Sequence, residues 1–151
     1  MNTFTISKLN YSLVFFLEIA RTCYADIGTA TQYSSPYIPT ECYGDDTTNF
    51  PANNFFAAAG DGIWDNGAAC GRQYVIQCIS VANPFSCLNQ GSTIQVKIVD
   101  YANTAVSRPV ITSGTTVYLS DVAFKALVND SSESTTTAAA PSINIVLIQV
   151  D

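Results

Sequence analysis

GDGIWDNGAACGR, residues 60–72, is the stretch from which the fold is read. Gly60-Asp61-Gly62 and Asn66-Gly67 mark turns on either side of the chain's single tryptophan, Trp64, and Cys70 follows at once. Asp61 and Asp65 read as solvated turn residues. N-terminal to the run lies 55–59 (FFAAA), a short buried strand or a helical turn; periodicity does not decide between them. C-terminal to it, 73–80 (QYVIQCIS) alternates, with Tyr74, Ile76 and Cys78 on one face.

Further out the same period recurs. Residues 92–100 (STIQVKIVD) set Ile94, Val96 and Ile98 against Gln95 and Lys97. Residues 27–33 (IGTATQY) form a first strand and 115–119 a shorter one. The apolar run 143–150 (INIVLIQV) predicts a strand buried on both sides. Residues 34–51 are loop, dense in Pro, Gly, Asp and Thr. One helix is predicted: Ser120 caps it, Asp121 sits in its first turn, and Val122, Phe124, Ala126, Leu127 and Val128 supply its apolar surface. Beyond it, 130–141 is a low-complexity surface loop, and Asn129-Asp130-Ser131 is an N-glycosylation sequon that matters only in a secreted protein. Some six short strands with a helix near the C-terminus predict an all-β fold, a small closed barrel without exposed strand edges.

The N-terminus has the form of a secretory signal. Lys8 precedes an apolar stretch, 9–20, and small residues at 23 and 25 allow cleavage before Asp26. An N-terminal amphipathic helix is the alternative, since Glu18 interrupts the stretch. The expected domains are therefore a signal peptide, 1–25, and one barrel domain, 26–151, with no membrane insertion. Cleavage removes Cys23 and leaves four cysteines, Cys42, Cys70, Cys78 and Cys87, an even number that suits an oxidising compartment. Four cysteines allow three pairings. The chain has no histidine and no C-x₂-C pair, which argues against a zinc site. The expected mature chain keeps four basic and eleven acidic residues, a net charge of −7. Such a chain is repelled by nucleic acid, anionic lipid and polyanionic pectin, whereas neutral polysaccharide or a receptor with a basic face is compatible.

The 60–72 run resembles the plant EG45-like domain proteins, which include the plant natriuretic peptides and belong to the wider expansin-like group. Gly28-Thr29-Ala30-Thr31, Cys42-Tyr43-Gly44, Val96-Lys97-Ile98-Val99-Asp100 and Leu119-Ser120-x-x-Ala123-Phe124 fall in the family's order, so the likeness spans 26–151. It implies a six-stranded double-psi β-barrel of the expansin kind with one short helix near the C-terminus. It also implies the pairings Cys42–Cys70 and Cys78–Cys87. Two cysteines that many relatives carry after the strand-ending Asp are absent from 101–110 (YANTAVSRPV), which suggests a more mobile loop there.

Relatives that cleave glycans use an Asp just before the helix start; here that position is Tyr118, and the preceding His of the expansin pattern is Thr116. A phenol with a pKa near ~10 is a poor general acid at neutral pH. Without histidine, Ser-His-Asp and Cys-His chemistry are excluded, and no metal or cofactor is expected. Thr31 and Asp100 match polar groups of the expansin groove. Asp100 then either accepts backbone hydrogen bonds or accepts one from a sugar hydroxyl or a receptor group. The resemblance places an active segment at about 33–67, with Tyr33, Tyr37, Tyr43, Trp64 and Asp65 as candidate contacts and Tyr101 beside Asp100. Trp64 has core packing as its competing role. The expectation is a secreted, apoplastic, monomeric, non-catalytic protein that signals in water and ion balance through a plasma-membrane receptor. The alternatives are a wall module that binds neutral glucan and a defence-related protein.

Overall fold

The structure, a computed structural model, describes residues 25–80, 86–89, 91–107, 114–129 and 142–150. The expected cleaved segment (apart from Ala25), Cys23, the 130–141 loop, the Asn129 side chain and residues 108–110 of the 101–110 loop lie outside the described residues.

Six strands close into a barrel: β1 (Ala25–Tyr33), β2 (Phe56–Ala59), β3 (Gln73–Cys78), β5 (Thr93–Tyr101), β6 (Val117–Ser120) and β8 (Ser142–Val150). Their order around the barrel is β1-β6-β2-β5-β3-β8. The β1–β6 and β2–β5 pairs are parallel, and the other four are antiparallel. Two further segments, β4 (Ser86–Cys87) and β7 (Val128–Asn129), pair beside the barrel.

Period-two alternation fills the interior. Tyr74, Ile76 and Cys78 of β3, Ile94, Val96 and Ile98 of β5, and Ile143, Ile145 and Leu147 of β8 meet in one core. The 55–59 ambiguity resolves as strand. β8, by contrast, is buried on one face only: Asn144 and Gln149 are exposed and Val146 and Ile148 half-buried. Its outer face meets no second layer among the described residues, and Ile27, opposite Val146 on β1, is 81% exposed.

Helix α2 (Asp121–Leu127) sends Ala123, Phe124 and Leu127 into the same core. Val122 belongs to the other side of the helix and is 48% exposed, contrary to its predicted apolar role. Ser120 Oγ accepts the Ala123 N–H at 3.3 Å and donates to the Asn54 carbonyl at 2.7 Å. Ser120→Ala removes both bonds and is expected to cost about 1–2 kcal/mol, read as a lowered Tm. The turns predicted around Trp64 are tighter than loops: a one-turn helix α1 (Asp61–Trp64) runs into a 3₁₀ turn (Asp65–Gly67).

The outer face of β1, β6, β2 and β5 carries a second cluster of Tyr33, Phe56, Ala58, Val99, Ala102 and Tyr118. Tyr37, Tyr43 and Phe50 of the 34–54 loop pack over it, so the loop is a lid. Both disulfides form as the resemblance implies. Cys42–Cys70 ties the lid to the turn before β3, and Cys78–Cys87 joins β3 to β4.

Candidate functional site

Four strands place one row of residues beneath the lid. Thr31 on β1 is in register with Tyr118 on β6, Tyr118 with Ala58 on β2, and Ala58 with Asp100 on β5. Strict alternation would send Asp100 inward after Ile94, Val96 and Ile98. The register shifts between Ala57 and Ala58, leaving Val99 unpaired, and this bulge brings Asp100 level with Ala58 on the lid side.

The row is sealed. Thr31 and Asp100 have no exposed surface, and Tyr33 and Tyr118 almost none. Asp100 Oδ1 accepts the backbone N–H groups of Glu41 and Tyr101, each at 2.8 Å. This is the backbone-accepting role among the two read from the sequence. Asp100 Oδ2 and the Tyr33 hydroxyl are buried without hydrogen-bond partners among the described residues. Burial pushes the Asp100 carboxyl above its ordinary value, against the pull of the two N–H bonds. Tyr33 is raised by burial and by the Asp100 charge beside it.

Solvent reaches the barrel next to this row, at a cavity of about 320 Å³ lined by Asp61, Asn103, Thr115, Thr116 and Tyr118. Asp61 Oδ1 accepts the Tyr101 hydroxyl at 2.6 Å and Asn103 Nδ2 at 2.5 Å. Asn103 Nδ2 also reaches the Tyr101 oxygen at 2.8 Å. The bond to Asp61 raises the Tyr101 phenol above its ordinary value, so it stays a donor at neutral pH. Trp64 stacks on Tyr101 with ring centroids 4.5 Å apart and planes 13° from parallel. Gly60 permits this arrangement: its N–H bonds the Thr116 carbonyl at 3.0 Å, and a Cβ there would lie 2.2 Å from the Thr115 carbonyl oxygen.

The structure thus unites Trp64 and Tyr101, which the sequence singled out, with Asp61 and Asn103, which it did not. Asp61 stood in a glycine turn and Asn103 in a loop forty-two residues away, so no spacing connected them. Other predicted contacts lie apart. Asp65 is exposed and ion-paired with Arg72 at 2.7 Å. Tyr43 belongs to the lid, its ring 5.4 Å from Lys97 Nζ.

No family profile matches the chain. An EG45-like domain containing protein of Citrus jambhiri is 38% identical over 85 residues, 54% of this chain and 60% of that protein. The EG45-like domain containing protein 1 of Arabidopsis thaliana is 35% identical over 99 residues, 62% of this chain and 73% of that protein. The chain belongs to the EG45-like domain containing proteins. It matches less than two thirds of the length of two of these relatives, 60% of the Citrus protein and 65% of a second Arabidopsis one.

Among solved structures, an expansin of Clavibacter michiganensis crystallised with cellohexaose superposes at a TM-score of 0.56 and 20% identity, covering 85% of this chain and 51% of that one. A β-1,4-D-endoglucanase from the blue mussel Mytilus edulis superposes at 0.51 and 17%, covering 83% and 79%. The EG45-like barrel is therefore the double-psi barrel of expansins and this endoglucanase class. One fold serves proteins named for different actions, so function rests on the side chains. The two disulfides of this EG45-like chain fit a secreted protein.

Proposed function

We propose that this EG45-like protein is a non-catalytic extracellular binding protein that signals in water and ion homeostasis, as the resemblance to plant natriuretic peptides implies. The sealed row carries the non-catalytic part of this reading. Glycoside hydrolysis needs two carboxyl groups roughly 5–9.5 Å apart across an accessible bond. The row has one, Asp100, closed off beneath the lid, and Tyr118 stands where the resemblance puts the acid. The signalling part rests on the 33–67 segment, held against the barrel by Cys42–Cys70 and so presented as one fixed surface. Its partner is a plasma-membrane receptor with a basic face, met by a monomer after export to the apoplast. The test is protoplast swelling with the folded protein and with a synthetic 33–67 peptide. A dose-dependent volume change is expected; no response at any dose, or release of sugar from soluble glucans, refutes the reading.

A second reading has its own observation. The stacked Trp64–Tyr101 pair beside Asp61 and Asn103 combines apolar faces with fixed polar groups, the chemistry that suits a neutral glucan. Asp61→Asn removes the charged acceptor that holds Tyr101 and Asn103. It is expected to weaken retention on cello-oligosaccharide, xyloglucan or mixed-linkage glucan by about tenfold or more. Absence of retention by the unaltered protein removes this reading and leaves the first in place.

A further inference from the structure

A second cavity, of about 690 Å³, opens on the other side of the sealed row, between the lid and the start of α2. Along β6 the two cavities flank Tyr118: the smaller touches Thr115 and Thr116, the larger Ser120. We propose that the larger cavity binds a small organic cation, a primary ammonium on an aromatic or alkyl body, with Asp121 as its counter-ion.

Its size falls within the ~300–1,000 Å³ of small-molecule sites, which combine apolar walls with few polar groups. Here the walls are Phe50, Phe56, Tyr37 and Pro51, with Ile38 (39% exposed) and Val122 at the rim. Phe56 meets Tyr37 edge-on at 4.9 Å and 89°, and Phe50 at 4.7 Å and 51°. Three aromatic rings thus line the cavity, and aromatic faces attract cations. This also accounts for Val122, an exposed apolar residue that the barrel core does not use.

The cavity is pre-formed because its two sides are pinned together. Ser120 Oγ bonds the Asn54 carbonyl at 2.7 Å, and the Asp121 N–H donates to the Tyr37 hydroxyl at 3.2 Å. Asp121 is the one charged residue among the described residues of the lining. Gln32 Nε2 and Ser34 Oγ, the latter at 2.9 Å, both donate to its Oδ1 and fix the carboxylate's direction. Both donors are neutral, and no lysine or arginine among the described residues lies within ion-pair distance of Asp121. A carboxylate held in place beside aromatic walls, with no described protein cation paired to it, is complementary to an ammonium group, and Ser35 and Thr47 in the lining offer acceptors for its remaining N–H donors. The formal charge of −6 further concentrates cations at the surface.

The test is an NMR titration of the secreted protein at pH 7 with phenethylammonium chloride, against 2-phenylethanol and phenylacetate as neutral and anionic analogues. Saturable shifts are expected at Phe50, Phe56 and Val122, strongest for the amine and absent for the acid. Asp121→Asn, which keeps an acceptor for Gln32 and Ser34, should weaken the amine about tenfold or more, to the level of the alcohol. Ala52→Trp, at an exposed residue of the lining, leaves Asp121 in place and should abolish binding of both. Equal binding of amine and alcohol, indifference to Asp121→Asn, or shifts that survive Ala52→Trp would each overturn the assignment. So would tighter binding of Nα-acetyl-lysine amide than of phenethylammonium, which would give the site to a protein partner.

Discussion

Replacing both Cys42 and Cys70 by alanine is expected to destabilise the domain by about 3.5 kcal/mol, the chain-entropy value for the 28-residue separation this bridge spans. A domain of this size has roughly 5–15 kcal/mol in all, so the loss is a large fraction, and Tm should fall by roughly 10–20 °C. The Cys78–Cys87 bridge spans only 9 residues, and its removal should cost about 2.5 kcal/mol. The two also differ in kind. Without Cys42–Cys70 the lid is free to leave Tyr33, Tyr118 and Asp100, so amides of 34–54 should exchange faster while the barrel strands stay protected. Urea unfolding and hydrogen exchange check both points. A smaller loss for the longer bridge, or uniform exchange throughout, would mean that the lid is held by packing alone.

Asp100→Ala is expected to cost about 2–4 kcal/mol, because it strands the Glu41 and Tyr101 N–H groups under the lid. Asp100→Asn keeps an acceptor for both and should be nearly neutral at pH 7. The two proteins should part company on titration. Burial raises the folded-state carboxyl of Asp100, so between the unfolded value near ~3.9 and the folded one the folded state holds the extra proton. This group's contribution is therefore fully present below the unfolded value and is lost as pH rises through the folded value. The unaltered protein should lose stability from pH 4 to 7 relative to Asp100→Asn. Parallel Tm profiles would show that the two N–H bonds cancel the effect of burial, and a gain from pH 4 to 7 that they outweigh it.

Much of the barrel was legible in local patterns. Strands β3 and β5 followed from alternation, and α2 from Ser120 followed by Asp121. Where the reading failed, a neighbour was the cause. The apolar run of β8 does not reveal that its outer face lacks a covering layer among the described residues, and Val122 does not reveal that it borders a cavity. Thr31 and Asp100 match groove positions only by the resemblance, and their burial depends on a lid that is distant in sequence. Asp61 and Asn103 carried no signal, since their partnership exists only where α1 meets the end of β5.

The sequence by itself determined five of the six barrel strands, the helix start and the cysteine inventory, and through the 60–72 run the family and its bridges, because backbone period and residue type are local properties. Only the tertiary structure decided which polar residues face solvent. The bulge at Val99 and the bridge from Cys42 to Cys70 are long-range events. Together they bury Asp100 behind Tyr33 and Tyr118 and leave open a cavity on either side, one holding Asp61 and the other Asp121.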